Sequence, residues 1–270
     1  MRRQEKMKDH YFVIGYPVKH SLSPAIQQEF IRKTGQEMSY EALEIKPDEL
    51  LDVLHRLRVD ERVKGLSVTL PFKELLYRYC DELDEKAKAT GAVSNVLIDE
   101  RRQFKGFNLD GLGLIRDIEL NHNFPIRGKK VLIIGAGGAA KGILPDIIAE
   151  APASIRITNR TLSKAVMLAS HFQDKFQQLD VCPLEEISGR FDLVINATSA
   201  SVEGLPLPLE RRNFNDNALA YDLMYAPTGT VFTNWCQQQG IAASDGKGML
   251  LELSKVAFYL WRDIDIAEYE

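Results

Sequence analysis

The sequence predicts an α/β fold of two domains, the second a Rossmann-like, doubly wound dinucleotide-binding array. Three observations predict it. Short β-branched runs alternate with helix-period stretches. The composition turns polar across residues 121–130. The apolar run VLIIG, suited to a buried parallel strand, passes straight into a glycine-rich turn that opens a helix.

In chain order, the basic opening MRRQEKMKDH reads as a tail, and the FVIGYP that follows is too short and too broken by Gly and Pro for a signal-peptide core or a membrane span. YFVIGYP, MSYEALEI and GLSVTLP read as strands. SPAIQQEFIRKTG reads as a helix capped by Ser23, with Pro24 in its first turn and a stop at Gly35. PDELLDVLHRLR repeats that design. A further helix is expected from near Pro71, another over DELDEKAKAT, and then a hairpin of AVSNVLID and QFKGFN before the helix DGLGLIRDIELN. NHNFPIRGKK connects the halves. Beyond the glycine turn, SIRIT, DLVINAT and LAYDL supply the strands of a βα array, and the final helix GMLLELSKVAFYLWRD is expected to return to the first domain. The division expected is 1–110 rejoined by 247–270, and 111–246.

Composition narrows the function classes. With 270 residues, 45% apolar and 27% charged, the chain has a core rather than disorder. Its 34 basic residues against 38 acidic give a net charge of -4, too little positive charge for a dedicated nucleic-acid binder but enough for a small anionic ligand. Cys80, Cys182 and Cys236 stand far apart, with no CxxC pair and no HExxH among the histidines, so neither a disulfide framework nor a metal site is expected. The location expected is the cytoplasm.

Gly135, Gly137, Gly138 and Ala140 fit G-x-G-x-x-A. Glycine allows the tight turn and lets backbone N–H groups approach a pyrophosphate at the positive end of a helix. An NAD-type site places a carboxylate about 20 residues on, to hold the ribose 2′-hydroxyl. Here the next strand ends in Asn159, Arg160 and Thr161, with Lys164 one helical turn later. Two cations in place of an acid favour a 2′-phosphate, hence NADP over NAD, unless the loop is simply a solvated basic turn.

Three clusters lie at strand ends in the first half: GYPVKHSLSP with Ser21 and Ser23, SVTLPFK with Thr69 and Lys73, and FNLDG with Asn108 and Asp110. Taken singly they read equally well as helix caps and a solvated helix start. Taken in this order ahead of GAGGAAKG, NRTLSK, INATSA, YDLMY and DGKGML, they resemble the shikimate dehydrogenase family across nearly the whole chain.

That resemblance implies two α/β domains with a cleft between them, residues 1–110 with 247–270 binding substrate and 111–246 binding NADP. The implied activity is reversible hydride transfer from NADPH to the ring ketone of 3-dehydroshikimate, in aromatic amino-acid biosynthesis, by a monomer or homodimer. It implies that Ser21 and Ser23 bind the substrate carboxylate, that Thr69 and Asn95 meet ring hydroxyls, and that Lys73 and Asp110 form the catalytic pair. It also implies that Gly135, Ala136, Gly137, Gly138 and Ala139 hold the pyrophosphate, and that Asn159, Arg160, Thr161 and Lys164 hold the adenosine phosphate. Leu223, where the family carries methionine, and Gly246 would line the nicotinamide site, with Tyr225 reaching the substrate.

The chain departs from the family pattern where ring hydroxyls are read. Ser67 replaces an asparagine, Ser94 precedes Asn95 where an Asn-Thr pair is usual, Leu109 replaces a threonine and Leu253 a glutamine, with Glu252 rotated by about 100° beside it. A bulge at Ser94 and Asn95 is expected to bring the Asn95 amide back to the cleft. These departures leave open a paralogue acting on quinate or another cyclic hydroxy acid, or a non-catalytic NADP-binding protein. Retention of Lys73 and Asp110 weighs against the last.

Overall fold

The computed structural model describes residues 8–269. Residues 1–7 of the expected tail lie outside it, and the rest of that stretch is already turning into strand β1 (Asp9–Gly15). The chain divides into two compact units, one running up to Leu109 and from Leu253 onward, the other Asp110–Glu252.

The first unit is a six-stranded sheet of order β2-β1-β3-β5-β6-β4, made by β1, β2 (Met38–Glu44), β3 (Val63–Val68), β4 (Glu82–Leu83), β5 (Asn95–Ile98) and β6 (Phe104–Phe107). β2, β1 and β3 run parallel, and the hairpin β5–β6 joins antiparallel to β3. Its core gathers Ile14, Leu54, Leu66, Phe72, Val96 and Phe104, all fully buried.

Helix α1 (Ser23–Thr34) ends as expected at Gly35, whose φ of 64° is the left-handed cap glycine tolerates. Its start differs from expectation. Ser23 is the first helical residue, Leu22 is the N-cap with no side-chain cap bond, and Ser23 N–H donates to Ser21 Oγ at 3.2 Å in the turn that leads into the helix.

A tight turn at Pro47–Glu49 leads into α2 (Leu50–Val59), and α3 (Lys73–Tyr79) follows Pro71 closely. The helix expected over DELDEKAKAT shrinks to α4 (Glu85–Thr90): Glu82 and Leu83 pair with β6, and Asp84 caps the helix by accepting from Ala87 N–H at 2.7 Å. Ser94 precedes the paired residues of β5, and its N–H donates to Phe107 O at 2.8 Å, the residue that also pairs with Asn95. The β3–β5 ladder runs in register from Gly65 opposite Leu97 to Ser67 opposite Asn95.

Helix α9 (Lys247–Arg262) begins in the second unit and, from Leu253, belongs to the first. There Gln27 Nε2 donates to Ser254 O at 3.0 Å, and the Trp261 indole donates to Val96 O at 3.0 Å, lying beside Tyr11 and Tyr40. Trp261 occupies the space over Gly65, where a Cβ would collide with its indole nitrogen. Gly65→Ala is therefore expected to destabilise the protein by about 1–3 kcal/mol through forced displacement of a fully packed ring, read as a lower urea midpoint at unchanged m-value.

In the second unit six parallel strands follow the order β12-β11-β10-β7-β8-β9. They are β7 (Lys130–Ile134), β8 (Ser154–Asn159), β9 (Leu179–Pro183), β10 (Phe191–Asn196), β11 (Phe214–Asp222) and β12 (Ala242–Ser244). Helix α5 (Asp110–Arg116) continues as a π-helical turn through Asn121, α6 (Gly138–Ala149) follows β7, α7 (Leu162–Phe172) follows β8, and α8 (Val231–Gln238) follows β11. The order reverses between β7 and β10, the point at which open α/β sheets bind ligands at their carboxyl ends.

Candidate functional site

In the first unit the sequence-predicted residues gather at the carboxyl ends of β1 and β3. A polar chain runs through them. Ser21 Oγ lies 3.2 Å from Ser23 Oγ, Ser23 hydrogen-bonds the phenol of Tyr40, Tyr40 donates to Ser67 Oγ at 2.8 Å, and Asn95 Nδ2 donates to the same oxygen at 3.2 Å. Burial pushes the Tyr40 phenol upward against these hydrogen bonds, which keeps it a neutral donor. The Asn95 amide is set from its other side, where Oδ1 accepts from Ser94 Oγ at 3.1 Å. Asn95 stands opposite Ser67 in the β3–β5 ladder. The sequence does not single out Tyr40; a tyrosine inside a strand reads as core, and it is core except for its hydroxyl.

The segment Ala92–Asn95 braces two further backbone positions. Val93 N–H donates to Lys73 O at 2.9 Å, at the first residue of α3. Leu109 N–H donates to Ser94 Oγ at 2.8 Å, and Asn108 Nδ2 reaches Thr90 Oγ1 at 3.0 Å and Ala92 O at 3.2 Å. Lys73 and Thr69 are half-buried, and Leu253 likewise. Asp110, the first residue of α5, is 3% exposed.

In the second unit β7 ends just before Gly135, whose φ is 116° and where an added Cβ would lie 3.0 Å from Ala197 O, so there is no place for a side chain. Ahead of Gly137 and Gly138 lies open space: a Cβ on either meets nothing within 4 Å. Gly137 caps α6 in extended conformation, so the first N–H groups of that helix point into the opening. This cradle fits a pyrophosphate. Ala136 beside these glycines is half-buried and Ala139 exposed.

At the end of β8, Asn159 Nδ2 donates to Thr161 O at 2.9 Å, fixing the turn that carries Arg160 and Thr161, both exposed. No carboxylate pairs with Arg160 or Lys164 among the described residues. A cavity of about 270 Å³ is lined by Ala136, Lys141, Lys164, Met167, Leu168 and His171. Sequence reasoning misses Lys141 and His171, although a lysine in the first turn after a phosphate-type loop is a usable signal. The donor set is cationic and fits NADP.

Leu223 and Gly246 meet, because a Cβ on Gly246 would collide with Leu223 O, and Gly246 N–H donates to Met224 O at 3.0 Å. Tyr225, half-buried, follows in the same loop. That loop hangs on Asp222, which is fully buried and accepts from Asn196 Nδ2 at 3.0 Å, Met224 N–H at 3.0 Å and Thr230 Oγ1 at 2.6 Å. Burial raises the Asp222 carboxyl above its usual range, with these hydrogen bonds opposing.

Asp222→Asn is expected to lose about 1–3 kcal/mol, because one acceptor becomes an NH₂ facing existing donors. The sign with pH follows from the raised value: the folded state holds the proton more tightly, so wild type gains on the variant as pH falls. Urea unfolding at several pH values would show a widening gap toward acid, and a gap that narrows would contradict the assignment.

Among the described residues no helix is long and apolar enough to cross a membrane, and no group of His, Cys, Asp and Glu could hold a metal ion.

Residues 13–97 match the family model described as the shikimate dehydrogenase substrate binding domain, and residues 119–205 the one described as shikimate / quinate 5-dehydrogenase. The NADP(+) shikimate dehydrogenase of Dechloromonas aromatica is 44% identical over 261 residues, 96% of this chain and 94% of its own. That of Chromobacterium violaceum is 43% identical over 258 residues, 95% and 93% of the two chains. The crystal structure of shikimate 5-dehydrogenase from Thermus thermophilus in complex with NADP(H) and shikimate superposes with a TM-score of 0.85 at 30% identity, covering 95% of this chain and 94% of that one.

Proposed function

The chain belongs to the shikimate dehydrogenase family, and on that premise we propose that it catalyses the NADPH-dependent, reversible reduction of 3-dehydroshikimate to shikimate. It is an oxidoreductase of the route to aromatic amino acids, working on a small molecule in the cytoplasm, as monomer or homodimer, without nucleic acid. Residues 1–110 with 247–270 form the substrate-binding domain in this reading, and 111–246 the NADP-binding domain.

The residues divide the work. Ser21 and Ser23 hold the carboxylate through hydroxyl donors, and Thr69 and Asn95 meet ring oxygens, with Tyr225 contributing from its loop. Gly135, Ala136, Gly137, Gly138 and Ala139 hold the pyrophosphate. Asn159, Arg160, Thr161 and Lys164 hold the 2′-phosphate, and Leu223 and Gly246 flank the nicotinamide.

NADPH, when bound, supplies the hydride to the ring carbonyl carbon. The Lys73 ammonium stabilises the negative charge growing on the carbonyl oxygen and provides its proton. Asp110 orients the forming hydroxyl and balances the ammonium. In the reverse direction the same pair removes the hydroxyl proton.

One observation carries this reading: the Ala92–Asn95 segment fixes the backbone at Lys73 and at Leu109, one residue before Asp110, with bonds of 2.8–2.9 Å.

Steady-state oxidation of shikimate and of quinate, each with NADP and with NAD, tests the reading. Shikimate with NADP is expected to give the highest kcat/KM. A preference for quinate would transfer the chain to the paralogue reading, and no turnover in any of the four assays would mark a binding protein.

A further inference from the structure

Asp117 lies 1% exposed in the second unit, and a buried carboxylate is costly unless its oxygens are hydrogen-bonded. Here both are. Oδ2 accepts from the Tyr221 phenol at 2.5 Å and Oδ1 from Asn121 Nδ2 at 2.7 Å. The chain departs from the α-helix at this point: His122 N–H donates to Asp117 O at 3.2 Å, five residues back, closing the π-helical turn that brings Asn121 and His122 both around Asp117. His122 Nε2 stands 3.7 Å from Oδ2, its ring nearly perpendicular to that of Tyr221. Tyr221 is fully buried, and its oxygen also accepts Met249 N–H at 3.2 Å. Burial and the facing carboxylate push the phenol upward, which keeps it a neutral donor.

The same carboxylate meets the start of α9. A Cβ on Gly248 would collide with both Asp117 oxygens, so the backbone there rests directly on the carboxylate. Tyr221 lies two residues before Leu223, and Gly248 two residues after Gly246, the two positions that flank the nicotinamide in the proposed function. Asp117 itself stands about two helical turns along from Asp110, in the continuation of α5.

We infer that Asp117 and Tyr221 are positioning residues, a buried tie that sets the wall of the nicotinamide site relative to Asp110 for hydride transfer. The inference deepens the proposed function and rests on it. Both side chains are buried, so they act through Leu223, Gly246 and Asp110 rather than by touching substrate or coenzyme. A misplacement of about 1 Å at the reacting groups, caused from a distance, costs on the order of 10²-fold in rate.

The test is a stopped-flow single turnover of NADPH with 3-dehydroshikimate, enzyme in excess, on wild type, Tyr221→Phe, Asp117→Ala and Asp117→Asn. Tyr221→Phe removes the phenol oxygen and keeps the ring. It is expected to slow the hydride-transfer step roughly tenfold at unchanged amplitude, with the KM values for both substrates within about threefold. Asp117→Ala should slow the step at least as much, and adding Tyr221→Phe to it should slow it no further, because both changes delete the same bond. Asp117→Asn keeps an acceptor for Tyr221 and is expected to restore most of the rate. A merely structural tie has the opposite signature: the amplitude falls with the folded fraction while the rate constant holds. That result for Tyr221→Phe, or additive losses in the double variant, overturns the inference and leaves the proposed function standing, and Tyr221→Phe alone decides where Asp117→Ala fails to fold. Wild type inert toward 3-dehydroshikimate overturns both.

Discussion

Lys73→Ala is expected to lower kcat for shikimate oxidation by about 10²- to 10⁴-fold while the KM values for shikimate and NADP move by less than about threefold. The proton acceptor and donor of this reaction acts where charge develops in the transition state, so its loss falls on kcat. Asp110→Asn should lower kcat less, because an amide still orients a hydroxyl but no longer balances the ammonium. Stopped-flow single turnover separates this from slow product release: the hydride-transfer step itself must slow. Unchanged single-turnover rates in Lys73→Ala would remove Lys73 from the chemistry, whatever the substrate.

The second large effect belongs to the coenzyme. Arg160→Ala is expected to raise the KM for NADP ten- to a hundredfold and leave that for NAD within about twofold, since a charge-assisted bond to phosphate contributes on the order of 1.5–3 kcal/mol. Arg160 is exposed, so the loss should shrink as salt rises and screening weakens the wild-type contact. Lys164→Ala should behave alike, and equal losses on NADP and NAD would refute the phosphate assignment for either.

Much of this was legible because certain residues admit one role. VLIIG could only be a strand buried on both faces, and it became β7, with Gly135 in a conformation that requires glycine. SIRIT reads as a strand, and β8 runs from Ser154 to Asn159. Other elements escaped for physical reasons. β9 and β12 are short strands at the two edges of their sheet, half exposed and without a continuous apolar run.

The helix over DELDEKAKAT was shortened because Asp84 caps it from inside, a competition between turn and helix that propensity alone does not settle. The Asn95 amide meets Ser67 because the two stand opposite in the β3–β5 ladder; register is a property of two strands, and one strand's sequence does not carry it. Tyr40 and Asp222 were invisible for a related reason. Each looks like ordinary strand material until the groups around its one polar end are known.

The most direct measurement of the central claim is the consumption of reduced coenzyme when 3-dehydroshikimate is mixed with the enzyme, run in parallel with NADPH and NADH. The account predicts one NADPH oxidised per molecule of substrate reduced, with NADH far slower at equal concentration and the NADPH reaction abolished in step with kcat by Lys73→Ala. Equal rates with the two coenzymes, or NADPH left intact beside 3-dehydroshikimate, would contradict it.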